Sequence, residues 1–105
     1  MLDKCKAMPY TQFVIKSIRH KSLRAYWETG KAKGLNADWL PRLRRRLDLL
    51  NVASAPEEMN MPGFRFHALD GDKKGRYAIN VSSNWRLTFG WDEQDAIDID
   101  LEDYH

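Results

Sequence analysis

Three consecutive segments in the second half of the chain alternate between apolar and polar residues with a period of two. The segments are 76–81, 85–91 and 97–102, and short polar runs separate them. Their apolar positions are Tyr77, Ile79, Val81, Trp85, Leu87, Phe89, Trp91, Ile97, Ile99 and Leu101. Because successive strand side chains point to opposite faces of a sheet, this pattern predicts antiparallel strands with one buried face. A further strand is predicted at Phe64–Leu69, before a turn at 70–75.

The first half of the chain predicts one strand and then a helix. The run 13–18 is short and rich in β-branched residues, which is typical of a strand. Leu23, Tyr26 and Trp27 then follow the spacing of one helical face. Gly30 can end this helix because glycine adopts a left-handed conformation without steric cost.

A second amphipathic helix is predicted before Asn51. Its N-cap is Asn36 or Asp38, and Pro41 is tolerated in its first turn, where a missing N–H costs nothing. Its apolar stripe consists of Leu40, Leu43, Leu47 and Leu50.

These elements predict an α+β fold in which an N-terminal strand and two helices pack on one face of an antiparallel β-sheet. We expect residues 13–105 to form a single domain and residues 1–12 an N-terminal extension. We expect the helix residues Leu23, Trp27, Leu43 and Leu47 to bury seven apolar residues of the sheet. These are Tyr77, Ile79, Val81, Trp85, Leu87, Phe89 and Ile99.

The other face of the sheet is polar and cationic. With regular pleating it carries Arg65, His67, Arg76, Asn80, Arg86 and Thr88. Folding does not require such a face, so we regard it as a candidate binding surface.

Charge is divided unequally along the chain. Residues 1–51 contain twelve Lys and Arg but four Asp and Glu, whereas residues 52–105 contain five Lys and Arg and eleven Asp and Glu. A basic half favours a polyanionic partner, although opposite charges also keep a small domain soluble.

The single cysteine excludes an intrachain disulfide, and the N-terminus is too polar for a signal peptide. We therefore expect a cytoplasmic protein without a membrane segment.

Candidate chemistry is concentrated in histidines, arginines and the C-terminal residues 102–105. His67 is either a surface histidine or a proton-transfer group, and the tail Asp103-Tyr104-His105 is either frayed or catalytic. Arg86 either pairs with an acid across the sheet or stabilises a phosphate. Histidine and cysteine lack the close ligand pairs of a zinc site, so no metal and no cofactor are expected.

Five segments together resemble the HigB toxins of the RelE superfamily, also described as the plasmid maintenance system killer family. They read Ile-Lys-Ser-Ile-Arg-His-Lys at 15–21, Leu-Asp-Gly-Asp at 69–72, Tyr-Ala-Ile-Asn-Val at 77–81, Asn-Trp-Arg-Leu-Thr-Phe at 84–89 and Glu-Asp-Tyr-His at 102–105. The Asn-Trp-Arg strand and the terminal Asp-Tyr-His, at this separation, are the specific part of the resemblance.

The resemblance implies the toxin of a type II toxin–antitoxin system, a ribosome-dependent mRNA endoribonuclease that needs no metal. It also implies a helix-turn-helix antitoxin of the HigA type, through which alone the toxin would associate with operator DNA. The alternative is a non-catalytic module of the same fold that binds RNA, the ribosome or the antitoxin.

The resemblance also implies site residues. The catalytic set would be His67, Arg86, Asp103, Tyr104 and His105. We expect RNA contacts from Lys73, Lys74, Arg65, Arg76, Arg44 and Arg45. The family often has a lysine three residues after the strand histidine, where this chain has Asp70. An acid cannot neutralise a phosphate, so Lys73 or Lys74 would substitute or the activity would be weaker.

Overall fold

The protein is described here by a computed structural model that covers residues 13–103. Two α-helices come first, and four strands follow them in a sheet whose spatial order is the chain order. The helices are α1 (Lys21–Thr29) and α2 (Leu40–Leu50), and the strands are β1 (His67–Ala68), β2 (Arg76–Asn80), β3 (Trp85–Asp92) and β4 (Asp95–Asp103). Short 3₁₀ turns lie at Ala37–Trp39, Pro56–Met59 and Gly71–Lys73. All neighbouring strands of this sheet pair antiparallel.

Both helices begin and end at residues whose chemistry suits those positions. His20 caps α1, because its Nδ1 accepts a hydrogen bond from the backbone N–H of Leu23 at 3.1 Å. Gly30 ends α1 with a φ of 82°, and its N–H donates to the carbonyl of Tyr26. Asn36 caps the 3₁₀ turn that leads into α2. The predicted helices are therefore confirmed.

The helices cover the apolar face of the sheet as predicted. Leu23, Leu43, Leu47 and Leu50 are fully buried in one core with residues from three strands. The fully buried strand residues of this core include Ile79, Leu87, Phe89, Ala96 and Ile99, with Val81 directly after β2. The rings of Trp27, Tyr77 and Trp85, which were expected to be buried, are half-buried and pack against the edge of the core.

The predicted N-terminal strand is an extended segment that meets the sheet at two isolated bridges. Ile15 pairs with Ala96 and Ile18 with Ile99, both parallel, along the outer edge of β4. The pairing is discontinuous because the segment divides its backbone donors between two partners. The N–H of Val14 donates to the carbonyl of Asn51 at the end of α2, whereas that of Lys16 donates to Ala96.

Strand β1 is shorter than the predicted Phe64–Leu69. Arg65 has a φ of 53°, in the left-handed region, which interrupts the extended backbone. The chain before β1 is held instead by Asn80, whose backbone N–H donates to the carbonyl of Phe64 at 2.7 Å. The side-chain amide of Asn80, turned so that its nitrogen donates, also reaches the carbonyls of Gly63 and Phe64.

The predicted alternation is wrong at Ile97 because β4 contains a β-bulge. Thr88 pairs with Asp100, but Gly90 pairs with Ile97, so β4 has one more residue than β3 between these pairs. Asp98, within the bulge, has a φ of 49°. As a result Ile97 shares the polar face with Gly90, and Ala96 takes the place in the core.

Candidate active site

The register of the strands places the predicted polar residues in two adjacent rows on one face. One row runs across all four strands through His67, Ala78, Thr88 and Asp100. The next row runs across β2, β3 and β4 through Asn80, Arg86 and Glu102. His67 and Arg86, far apart in sequence, therefore share one surface as expected.

His67 and Arg86 are separated by two strand spacings and one row. Strands lie about 4.8 Å apart, so the two backbones are about 10 Å apart across the sheet. Ala78, between His67 and Thr88 in the first row, contributes only a methyl group. Ala78 is itself fully buried, so a phosphodiester on this face would contact the longer side chains around Ala78.

The imidazole of His67 is held in one orientation by the backbone just before it. Its Nδ1 lies 2.9 Å from the carbonyl oxygen of Arg65. A carbonyl oxygen only accepts, so Nδ1 carries the proton of the neutral ring. The other nitrogen, Nε2, then has the lone pair that a general base needs. His67 itself is exposed.

Glu102 is the residue of this face that the sequence analysis did not assign. One of its carboxylate oxygens accepts from the hydroxyl of Thr88 at 2.5 Å, and the other is paired with the ammonium of Lys73. Its partner across the strands is Arg86. The sequence contained one indication of this position, because Glu102 has the strand parity of Asp100 on the polar face.

The environment of Glu102 favours its ionised form. Burial by itself would raise the pKa of the carboxyl group, but hydrogen bonds from Lys73 and Thr88 and the charges of Lys73 and Arg86 lower the pKa below its usual value. Glu102 is therefore an anion near neutral pH, enclosed by two cations and a hydroxyl.

Arg76 lies on this face and links its strands. Its Nη2 donates to the hydroxyl of Thr88 at 3.1 Å and to the carbonyl of Asp98 at 2.7 Å, so it joins β2 to the bulge of β4. Burial and the charge of Arg19 lower the pKa of Arg76, while the neighbouring carboxylates oppose this change. This geometry favours a structural role for Arg76 over the predicted RNA contact.

The other predicted RNA contacts lie on two surfaces. Arg65 and Lys74 are exposed beside β1 and at the start of β2. Arg44 and Arg45 are exposed on α2, where Arg44 pairs with Asp48 at 3.1 Å. The guanidinium of Arg44 also lies 5.2 Å from the centre of the Trp27 ring.

Of the three predicted C-terminal site residues, the structure describes only the first, Asp103. Asp103 pairs with Trp85, so its register position is on the opposite face from Arg86 and Glu102. The structure thus does not bring Asp103 onto the face of His67. Tyr104 and His105 lie outside the described residues.

Two arginines of α2 hold the helix to the end of β2. Arg46, buried among the leucines, donates from Nε to the carbonyl of Asn80 at 2.7 Å, and its guanidinium lies 4.1 Å from the centre of the Phe64 ring. Arg42 donates to the carbonyl of Val81. The sequence analysis missed Arg46, although it has the helical spacing of the Leu43 and Leu50 stripe.

Within residues 13–103, no three His, Cys, Asp or Glu side chains are grouped so that they could hold a metal ion. In the same range no helix combines the length and the apolar character needed to cross a membrane.

Comparison with known proteins gives consistent results. The profile of HigB-like toxins, described as the RelE-like toxin of type II toxin-antitoxin system HigB, matches residues 16–105. Endoribonuclease HigB of Proteus vulgaris is 37% identical over 92 residues, which cover 88% of this chain and 100% of that protein. Toxin HigB-1 of Vibrio cholerae serotype O1 is 31% identical over 86 residues, covering 80% and 90% of the two chains. The crystal structure of a variant of E. coli YafQ has a TM-score of 0.50 at 15% identity, covering 86% and 93%, and is similar in fold alone.

Proposed function

Since this chain belongs to the HigB-like family of RelE-like toxins of type II toxin–antitoxin systems, we propose that it is an endoribonuclease that cleaves mRNA on the polar face of its sheet. The Proteus vulgaris relative, which the chain covers from end to end, carries the name endoribonuclease. An activity of this kind requires a base, an acid and positive charge at the phosphate.

The observation that carries the proposal is the orientation of His67. The contact between Nδ1 and the Arg65 carbonyl leaves Nε2 as the basic nitrogen of the neutral ring. Arg86 lies in the adjacent row of the same face. A histidine base and a forked guanidinium on one surface are suited to attack on a phosphodiester.

The proposed reaction is an internal transfer that uses protein side chains and no metal. Nε2 of His67 takes the proton of an RNA 2′-hydroxyl, and O2′ forms a bond to the adjacent phosphorus. The bond from phosphorus to O5′ breaks, and O5′ takes a proton from His105. The products are a 2′,3′-cyclic phosphate and a 5′-hydroxyl end. DNA lacks the 2′-hydroxyl, so it would not be cleaved.

The remaining site residues have supporting roles in this proposal. Arg86 stabilises the charge that develops on the phosphate. Tyr104 positions the nucleotide, and Asp103 orients an imidazole or acts as an alternative base. Exposed cations, among them Arg65, Lys74 and Arg45, bind the RNA backbone.

Membership of a type II toxin family implies an antitoxin partner. We propose that this antitoxin is a helix-turn-helix protein of the HigA type and that the toxin acts on mRNA at the ribosome, in the cytoplasm. Operator DNA would be bound by the antitoxin only.

Deletion of Tyr104 and His105 tests the active site. In a translation reaction analysed by primer extension, we expect the wild-type protein to cleave mRNA only when ribosomes are present. The deletion should reduce cleavage by about two orders of magnitude or more, as loss of a proton-transfer group usually does. The variant must still fold and bind its antitoxin.

Three results would contradict parts of this proposal. A deletion variant that cleaves at the wild-type rate would remove the C-terminal residues from the mechanism. Cleavage of the same mRNA by the wild-type protein in the absence of ribosomes would contradict the dependence on the ribosome. RNA binding by a folded wild-type protein that never cleaves would identify a binding module of the same fold.

A further inference from the structure

Among the predicted RNA contacts, Lys73 is the one that forms an ion pair with a carboxylate of the polar face. It belongs to the short turn Gly71–Lys73, and its side chain is 45% exposed. The ammonium pairs with Glu102, whose side chain is 16% exposed and is anchored at its other oxygen by the Thr88 hydroxyl. A flexible lysine is thereby fixed by a rigid, nearly buried acceptor.

Thr88, which binds Glu102, is itself held in place by contacts that reach the strands on both of its sides. Thr88 is fully buried, and its hydroxyl also accepts from Arg76, which donates in addition to the carbonyl of Asp98. Thr88 lies in the row that ends at His67, and Glu102 lies in the row of Arg86. The ammonium of Lys73 is thus brought next to the rows that carry the proposed base and the proposed phosphate-binding arginine.

We propose that Glu102 is a positioning residue that holds the ammonium of Lys73 over the candidate active site, where Lys73 contacts the reacting phosphate of RNA. The inference rests on the proposed ribonuclease activity and adds a cation to its site. The ion pair has no net charge, so it contributes little to the attraction of RNA at long range. Its value is geometric, because a lysine on a turn would otherwise distribute its charge over many rotamers.

This role has a consequence that a purely structural role lacks. Replacing Glu102 by glutamine removes a negative charge from an RNA-binding face, so RNA should bind at least as tightly. The same change releases the ammonium from its position, so cleavage of bound RNA should become slower. Binding and turnover should therefore change in opposite directions.

The test uses the full chain with the substitutions Lys73→Met, Lys73→Arg, Glu102→Gln and the double variant of Lys73→Met with Glu102→Gln. Lys33→Met is the matched control, since Lys33 is exposed in the loop after α1 and belongs to no proposed site. Binding is measured with a single-stranded oligoribonucleotide whose 2′-hydroxyls are methylated and so cannot attack. Cleavage is measured as the first-order rate at saturating toxin in a translation reaction.

We expect Lys73→Met to slow cleavage by about tenfold or more and Lys33→Met by less than about twofold, since a charge-stabilising group is lost only in the first. Lys73→Arg, which keeps the charge and can pair with Glu102, should restore most of the rate. Glu102→Gln should slow cleavage by about tenfold without weakening the binding of RNA. The double variant should be no slower than Lys73→Met, because both substitutions remove the same positioned ammonium.

The inference is overturned if Glu102→Gln cleaves at the wild-type rate, or if its effect and that of Lys73→Met multiply. If Glu102→Gln does not fold, the comparison of Lys73→Met, Lys73→Arg and Lys33→Met decides, and equal rates for the three overturn it. A wild-type protein that does not cleave overturns the proposed function and this inference together. An active wild type with an equally active Lys73→Met variant overturns this inference alone.

Discussion

Three arginines of this protein differ in role because their tertiary contacts differ. Arg46 is buried and donates to a backbone carbonyl, Arg76 joins two strands on the polar face, and Arg86 lies in the row of Glu102. The side chain is chemically the same in all three places. Its surroundings decide whether the guanidinium holds the fold together or faces a substrate.

At His67 we expect a large effect on cleavage and a small effect on stability. His67→Gln removes the basic nitrogen from an exposed side chain, so cleavage should fall by about a hundredfold or more. The melting temperature should change little, because the residue is not part of the core. Primer extension and thermal unfolding check the two expectations. A variant with undiminished cleavage would show that another group is the base.

The carboxyl of Glu102 should make stability depend on pH in the acidic range. Its pKa in the folded protein lies below the ordinary value of 4.5. The ionised group therefore stabilises the fold above that value, and the contribution is lost as the pH falls through the lower, folded pKa. Urea unfolding at a series of pH values measures the free energy of unfolding. The difference in this free energy between the wild type and Glu102→Gln should shrink as the pH falls. A difference that stays constant with pH would contradict this assignment.

At the scale of elements, α2 combines an apolar stripe with a buried polar contact. Leu43, Leu47 and Leu50 pack on the sheet, while Arg46 and Arg42 donate to carbonyls at the end of β2. This contact fixes the end of β2 beside Asn80, which in turn holds the chain before β1. Helix α2 thus helps to place His67 without contributing a proposed catalytic group.

Truncation of Arg46 should cost stability through a lost hydrogen bond. Arg46→Ala leaves the Asn80 carbonyl without its charged donor, which is expected to cost about 1.5–3 kcal/mol. For comparison, Leu47→Ala removes a fully buried side chain and should cost about 2–5 kcal/mol. Denaturant unfolding measures both. Unchanged stability of Arg46→Ala would mean that water replaces the guanidinium at no cost.

At the scale of the whole molecule, the two layers carry opposite charge. The helices and the segment before them are basic, whereas residues 67–103, the sheet with its turns, contain nine of the fifteen Asp and Glu. Pairs such as Lys16 with Asp95 and Arg19 with Asp98, both at 3.7 Å, join the layers at the surface. Exposed pairs of this kind contribute little stability, so the charge pattern bears on partners more than on the fold.

If α2 binds the RNA backbone, the two exposed arginines of α2 should contribute unequally. Arg45→Ala should weaken RNA binding and reduce the slope of log affinity against log salt by about one charge. Arg44→Ala should have a smaller effect, because Asp48 already neutralises Arg44 in part. Titration of RNA at several salt concentrations measures both slopes. Equal and unchanged slopes would exclude α2 from the RNA interface.

The sequence alone determined the helices, the antiparallel sheet and the face on which His67 and Arg86 meet, because side-chain periodicity depends on local geometry. It could not predict the bulge that turns Ile97 to the polar face, since a bulge depends on contacts of Asp98 with Ser17 and Arg76. It could not distinguish the buried Arg46 from its exposed neighbours or join Lys73 to Glu102 across 29 positions. Such pairings are long-range, and only the packed sheet decides which charged groups lie within reach of one another.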